Sequence, residues 1–119
     1  MQEAKPRQIK TYKTKDGKVP YDIWFAEIED KTLQNAIIGR LERVGKGDFG
    51  ECASIGEGVK ELKFRAYGIR IYFAEIAGYI VLLLCSGDKA SQTKDIKKAK
   101  KYWNEFKSRV EEADENENE

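Results

Sequence analysis

The sequence predicts an α+β fold with a mostly antiparallel sheet, in the order strand, helix, helix, three strands, helix. Three observations carry this expectation. In "VKELKFRA" and "IRIYFAE" apolar residues alternate with charged or polar ones at a period of two, the signature of half-buried strands. The six residues from Ile80 to Cys85 are almost wholly non-polar, as expected of a strand buried on both faces at the centre of a sheet. Two long segments, after Asp30 and after Ser91, repeat their apolar residues at helical spacing.

The elements follow in chain order. A short strand is expected around residues 8 to 13, broken by the Asp16-Gly17 turn signal. Pro20 suits the first position of a short helix, "PYDIWFAEI". Asp30 is placed to cap a second helix, whose apolar residues are Leu33, Ala36, Ile37, Leu41 and Val44. The two helices read as a hairpin. It ends in a loop, "GKGDFGECASIGEG", punctuated by Gly45, Gly47, Gly50, Gly56 and Gly58. Two strands joined tightly at Tyr67-Gly68 follow as a hairpin, and a third covers residues 79 to 86. The last helix is expected from about Ser91 to Arg109, with Ile96, Ala99, Trp103, Phe106 and Val110 as its apolar stripe. A right-handed crossover would bring the first strand into the same sheet. The expected core is Leu33, Ile37, Leu41, Leu62, Phe64, Ile71, Phe73, Val81, Leu83, Ile96, Trp103 and Phe106.

A chain of 119 residues suggests one domain, expected over residues 1–110. No apolar run approaches the roughly 18 residues of a membrane span, and "MQEAKPRQIK" lacks the apolar region of a signal peptide. A cytoplasmic location is therefore expected. Cys85 lies inside the apolar run and is expected to be a buried, inert thiol. The net charge of +1 hides an asymmetry. The last ten residues, "VEEADENENE", hold six acidic residues and no basic one, so residues 1–109 carry 22 basic against 15 acidic groups, a net charge of +7. A basic body suggests either a polyanionic partner or a merely solvated surface. Residues 111–119 are expected to form a disordered acidic tail that transiently screens the basic body. The chain has no histidine, which removes the commonest general base and metal ligand; no metal site is expected.

The same alternation that aligns Leu62, Phe64, Ile69, Ile71 and Phe73 puts Lys63, Arg65, Arg70 and Tyr72 on the opposite sheet face. Three cations grouped there would repel one another unless water or an anion separated them. The face is either solvated or a floor for phosphate. The central strand delivers Gly87, Asp88 and Lys89 beside it, just ahead of the last helix. Amide groups exposed at a helix start attract phosphate, which makes Ser91 and Gln92 further contacts. Asp88 is expected to cap the turn.

At these residues the chain resembles a known family. "GEGVKELKFRAYGIRIYFAE" followed by "IVLLLCSGDKASQTKDIKKAKKYW" is similar to the RelE/ParE superfamily of toxins, and within it to the phage-derived addiction module killer proteins, called HigB-like. Members of that branch read G-x-G-V-x-E-L-R, then G-Y-R-V-Y-F, then L-L-L-C-x-G-D-K-x-x-Q, then a D-I-x-x-A-K-x-Y-W helix. The similarity spans roughly residues 20 to 107. The resemblance implies a RelE-like fold in which the helical hairpin and the C-terminal helix pack on the sheet. It implies the toxin of a type II toxin–antitoxin system, a metal-independent endoribonuclease (mRNA interferase) that cuts mRNA on the ribosome and inhibits translation without a cofactor. Its partners would be that mRNA and a cognate antitoxin, expected to be a helix-turn-helix DNA-binding protein. Catalytic roles fall to Lys63 and Arg65, two positions apart in one strand, to Arg70 in "GIRIYF" and to Lys89 in "SGDK". Ser91, Gln92 and Lys94 would contact RNA, and Tyr72 would stack on a base or orient a phosphate unless it only packs at the sheet edge. The chain departs from the pattern at Lys63, where the branch more often has arginine, and at Ile69, where it has tyrosine. Where several nucleases of the superfamily carry a tyrosine or histidine, this chain has Thr93, Lys94 and Asp95. Two alternatives remain from the sequence: a ParE-like poison of DNA gyrase that cleaves no RNA, and a non-toxic remnant of the fold.

Overall fold

Burial of one face explains the alternation. Leu62, Phe64, Ile69, Ile71 and Phe73 are all buried together in the computed structural model, which describes residues 5–117. The elements are β1 (Gln8–Thr11), α1 (Pro20–Ala26), α2 (Lys31–Gly45), β2 (Cys52–Gly56), β3 (Val59–Phe64), β4 (Ile69–Ile76), β5 (Ile80–Asp88) and α3 (Gln92–Glu117). One five-stranded sheet runs in the order β1-β5-β4-β3-β2. β1 lies parallel to β5 and every other pair is antiparallel, so the crossover does bring the first strand into the sheet.

The sheet is a middle layer between two apolar cores. On one face Tyr21, Ile37 and Val44 of the helical hairpin close over the five residues above, with Val81 and Leu83. Pro20 begins α1, and the Asp30 carboxylate accepts bonds from the Thr32 and Leu33 amides (2.9 and 3.4 Å), as its position in the sequence requires. On the other face α3 covers Val59, Tyr72, Ala74, Leu82, Leu84 and Cys85, with Ala99 fully buried at its centre. Of the expected core, Leu33, Leu41, Ile96, Trp103 and Phe106 are only half-buried.

Two expectations change. The glycine-punctuated loop contains an edge strand, β2, paired with β3 from Cys52↔Leu62 to Gly56↔Val59 around a bulge. Its apolar signal is weak, since only Ala53 and Ile55 turn inward. It is held by its ladder to β3, and Arg40 ties the segment leading into it to β3. That guanidinium donates to the carbonyls of Phe49 (2.8 Å), Glu51 (2.7 Å) and Lys63 (2.9 Å) and lies 4.9 Å from the centre of the Phe64 ring. α3 also runs past Arg109 to Glu117. Residues 111–117, expected to be disordered, continue the helix: no Gly or Pro stops it, and Glu and Ala favour it. Residues 1–4 and 118–119, the outer ends of the expected domain and tail, lie outside the described residues. No helix among the described residues is long and apolar enough to cross a membrane.

One irregularity sets the local geometry of β5. Tyr72 pairs with Cys85 but Phe73 pairs with Leu83, so Leu84 is an extra residue in β5. The bulge places both Leu84 and Cys85 against α3. Beyond it every residue of β5 changes face relative to an unbroken strand. That is why Gly87 comes to lie directly across from Arg70.

Candidate functional site

The four expected catalytic cations line one cleft. It has a volume of about 250 Å³ and is walled by Lys63, Phe64, Arg65, Gly68, Ile69, Arg70 and Lys89. Lys63 and Arg70 face each other across β3 and β4. The turn between those strands is closed by the amides of Tyr67 and Gly68, which both donate to the Phe64 carbonyl (3.0 and 2.9 Å). Gly68 takes φ +67°, a left-handed conformation that glycine adopts without strain. The Lys89 amide donates to the Gly68 carbonyl (3.2 Å), which ties the end of β5 to this turn and brings Lys89 to the rim. Exposure is graded: the Arg65 side chain is 78% exposed, Lys63 31% and Arg70 17%.

The expected repulsion among these cations is relieved by the chain's own carboxylates. Glu51 binds Arg65, with Nε 2.7 Å from both carboxylate oxygens. The Arg65 guanidinium holds the Glu51 carboxyl below its usual range. Glu61, only 4% exposed, sits between the other two: its Oε1 is 3.6 Å from Lys63 Nζ and its Oε2 is 3.7 Å from Arg70 Nε. In the sequence Glu61 is only the polar partner in an alternating strand. A glutamate beside two basic residues on one face was the available signal.

Three expected RNA contacts do not meet in the cleft, and a fourth is buried. Tyr72 is fully buried under α3, so it offers no face for a base to stack on. Burial, then the nearby charges of Glu61 and Asp95, pushes its hydroxyl well above the usual phenol range. That hydroxyl, Glu61 Oε2 and Arg70 Nε have no hydrogen-bond partner among the described residues. Ser91 just precedes α3 and Gln92 and Lys94 lie in its first turn, but none of the three lines the cleft. At this helix start the Asp88 carboxylate already accepts the Ser91 amide (3.0 Å), as expected of a capping residue. The Ser91 hydroxyl lies 2.5 Å from Asp95 Oδ2 and 3.2 Å from Asp88 Oδ1. Two carboxylates thus occupy the place that the sequence offered to phosphate.

Asp95 also explains Gly87. A Cβ on Gly87 would stand 1.8 Å from Asp95 Oδ2 and 2.7 Å from Ser91 Oγ, so glycine leaves the room in which these two side chains rest against β5. Beside it Cys85 is buried and its thiol is pushed up to about 12 by that burial, while Cys52 is exposed; both are free. No three His, Cys, Asp or Glu side chains cluster as a metal site among the described residues. The lining of the cleft, four cationic residues of which Arg65 is already paired with Glu51, suits an anion with several oxygens. The acidic end of α3 does not screen it. The helix starts beside Lys89, and at about 1.5 Å per residue Glu111 lies roughly 28 Å further along.

No protein-family model matches the chain. It is 37% identical over 94 residues to an uncharacterized protein of Haemophilus influenzae, an alignment that covers 78% of this chain and 89% of the relative. The chain belongs to the same family as that protein.

Proposed function

We propose that this chain is a RelE-like toxin of the RelE/ParE superfamily, in its HigB-like branch, acting as a ribosome-dependent, metal-independent endoribonuclease restrained by a cognate antitoxin. The observation that carries the proposal is the convergence of Lys63, Arg65, Arg70 and Lys89 on one cleft. The substrate is single-stranded RNA. Its 2′-oxygen forms a bond to the adjacent phosphorus while the bond from phosphorus to the 5′-oxygen breaks, leaving a 2′,3′-cyclic phosphate and a 5′-hydroxyl. The 2′-hydroxyl loses its proton and the departing 5′-oxygen gains one.

Each cation has a place in this scheme. Arg70, the deepest, grips two phosphate oxygens through its planar guanidinium and stabilises the charge of the pentavalent transition state. Lys63, across the ladder from it, holds the same phosphate from the other side. Lys89 at the rim meets the leaving oxygen, and Arg65, the most exposed, steers the RNA backbone. No imidazole is available, and Tyr72 is buried, so the cleft works chiefly by electrostatics and positioning.

The test is to incubate the purified protein with ribosomes translating a defined mRNA and map new 5′ ends. The parent should cleave, and Arg70→Ala should be slower by roughly 100-fold. A parent protein that leaves RNA intact but blocks DNA supercoiling by gyrase would overturn the nuclease in favour of the ParE-like function.

A further inference from the structure

Glu61 is costly where it stands. Burying a carboxylate costs several kcal/mol unless it is paired, and a hydrophobic residue of similar volume would suit its apolar surroundings better. Its neighbour across the ladder, Tyr72, and its neighbour along the strand face, Val59, are both fully buried. The carboxylate must therefore do something for Lys63 and Arg70. At 3.6 and 3.7 Å it attracts both cations, yet neither contact is a hydrogen bond. Arg70 Nε and Glu61 Oε2 are both buried and neither has a hydrogen-bond partner among the described residues, so the pair is held by charge alone. Charge attraction draws both side chains inward along the sheet, while Lys63 Nζ and the terminal nitrogens of Arg70 make no hydrogen bond among the described residues and stay available for a phosphate.

We propose that Glu61 is a positioning residue that presets Lys63 and Arg70 in the cleft by charge without consuming their donors. The inference rests on the reading of this cleft as an RNA-cleaving site. It has a distinctive consequence. Glu61 opposes anion binding electrostatically while ordering the groups that act in the transition state. Neutralising it should separate binding from cleavage.

The experiment compares the full chain with its Glu61→Gln variant, which keeps side-chain volume. The binding probe is a single-stranded RNA oligonucleotide with 2′-deoxy sugars, which cannot be cleaved. Glu61→Gln should bind it as tightly as the parent or more tightly. Its single-turnover cleavage rate should fall by about 10²-fold, the scale expected for a misplacement of roughly 1 Å. The Arg70 Nε–H resonance, followed by ¹⁵N NMR in both proteins, should shift in the variant and exchange faster with water. An unchanged Arg70 resonance overturns the proposal. So does a loss of binding and cleavage in equal proportion, which would mark Glu61 as merely structural. If the parent cleaves no RNA, the nuclease reading fails, and the Arg70 resonance alone decides whether Glu61 positions it. Lys63→Gln provides a control: it leaves Glu61 and its attraction for Arg70 in place, so the Arg70 Nε–H should not exchange faster with water.

Discussion

Arg70 is expected to support the fold as well as the site, unlike an ordinary surface cation. Its side chain is 17% exposed, and Arg70→Ala strips one of two cations from a carboxylate that is 4% exposed. At 3.7 Å and an effective dielectric of about 20, one unit-charge attraction is worth roughly 4 kcal/mol before desolvation is counted. Lys63 remains 3.6 Å from the same carboxylate and offsets part of the loss. Orphaning a buried charge wholly costs about 3–5 kcal/mol. With a second partner left, the expected cost is about 1–3 kcal/mol. For a domain of this size that lowers the melting midpoint by roughly 4–12 °C. The assay is urea unfolding of Arg70→Ala, Glu61→Gln and the double variant, since urea leaves ion pairs unscreened. The double variant should recover much of the loss, with a coupling of about 1 kcal/mol or more. An Arg70→Ala midpoint equal to that of the parent, or strictly additive variants, would refute the pairing.

Other variants separate the site from its supports. Gly87→Ala should destabilise by about 1–3 kcal/mol, because its Cβ overlaps Asp95 Oδ2 and must displace that buried carboxylate from its bond to Ser91; an unchanged unfolding midpoint would contradict that packing. Tyr72→Phe removes a buried hydroxyl with no partner among the described residues and should leave both stability and RNA affinity unchanged; weakened RNA binding would restore Tyr72 to the interface. Arg65→Ala should leave stability unchanged but lower the log–log salt slope of RNA binding by about 0.7, as removal of one phosphate contact does; an unaltered slope would place Arg65 off the RNA path. The buried Cys85 thiol is raised from 9.0 to about 12, so the unfolded chain loses this proton first as pH rises. Its contribution to stability is complete below about pH 9 and is lost between there and about pH 12. Cys85→Ala should flatten the fall in stability over that window, and an unchanged pH profile would refute the assignment.

Local pattern was enough for much of this fold. The period of two in β3 and β4 chooses the face that meets the helical hairpin, because a residue on the wrong face would leave its apolar surface in water. Asp30 caps α2 through its own neighbours, and the Tyr67-Gly68 turn needs only a left-handed glycine. These features depend on residues close in the chain, and so the sequence displays them. The spacing of Lys63 and Arg70 about that turn likewise placed both on one face before any packing was known.

Tertiary packing decided the rest. The opposite sheet face looked cationic and open, yet α3 lies across its inner half, so Tyr72 is buried while Lys63 and Arg70 beyond the helix stay accessible to the cleft. The segment that leads into the edge strand β2 is anchored by Arg40 of α2 through the Phe49 and Glu51 carbonyls, a contact between segments that no periodicity encodes. The bulge at Leu84 is invisible in a run where every residue is apolar, because either register buries hydrophobic side chains. It nevertheless determines which side of β5 faces Arg70. Glu61 is polar in the sequence like any solvent-facing strand residue, and its two cationic neighbours become partners only when β3, β4 and α3 together exclude water from it. Sequence alone determined which residues are cationic and which face they share. The three-dimensional packing determined which of them are screened, paired or free, because burial and charge pairing depend on everything that surrounds a side chain.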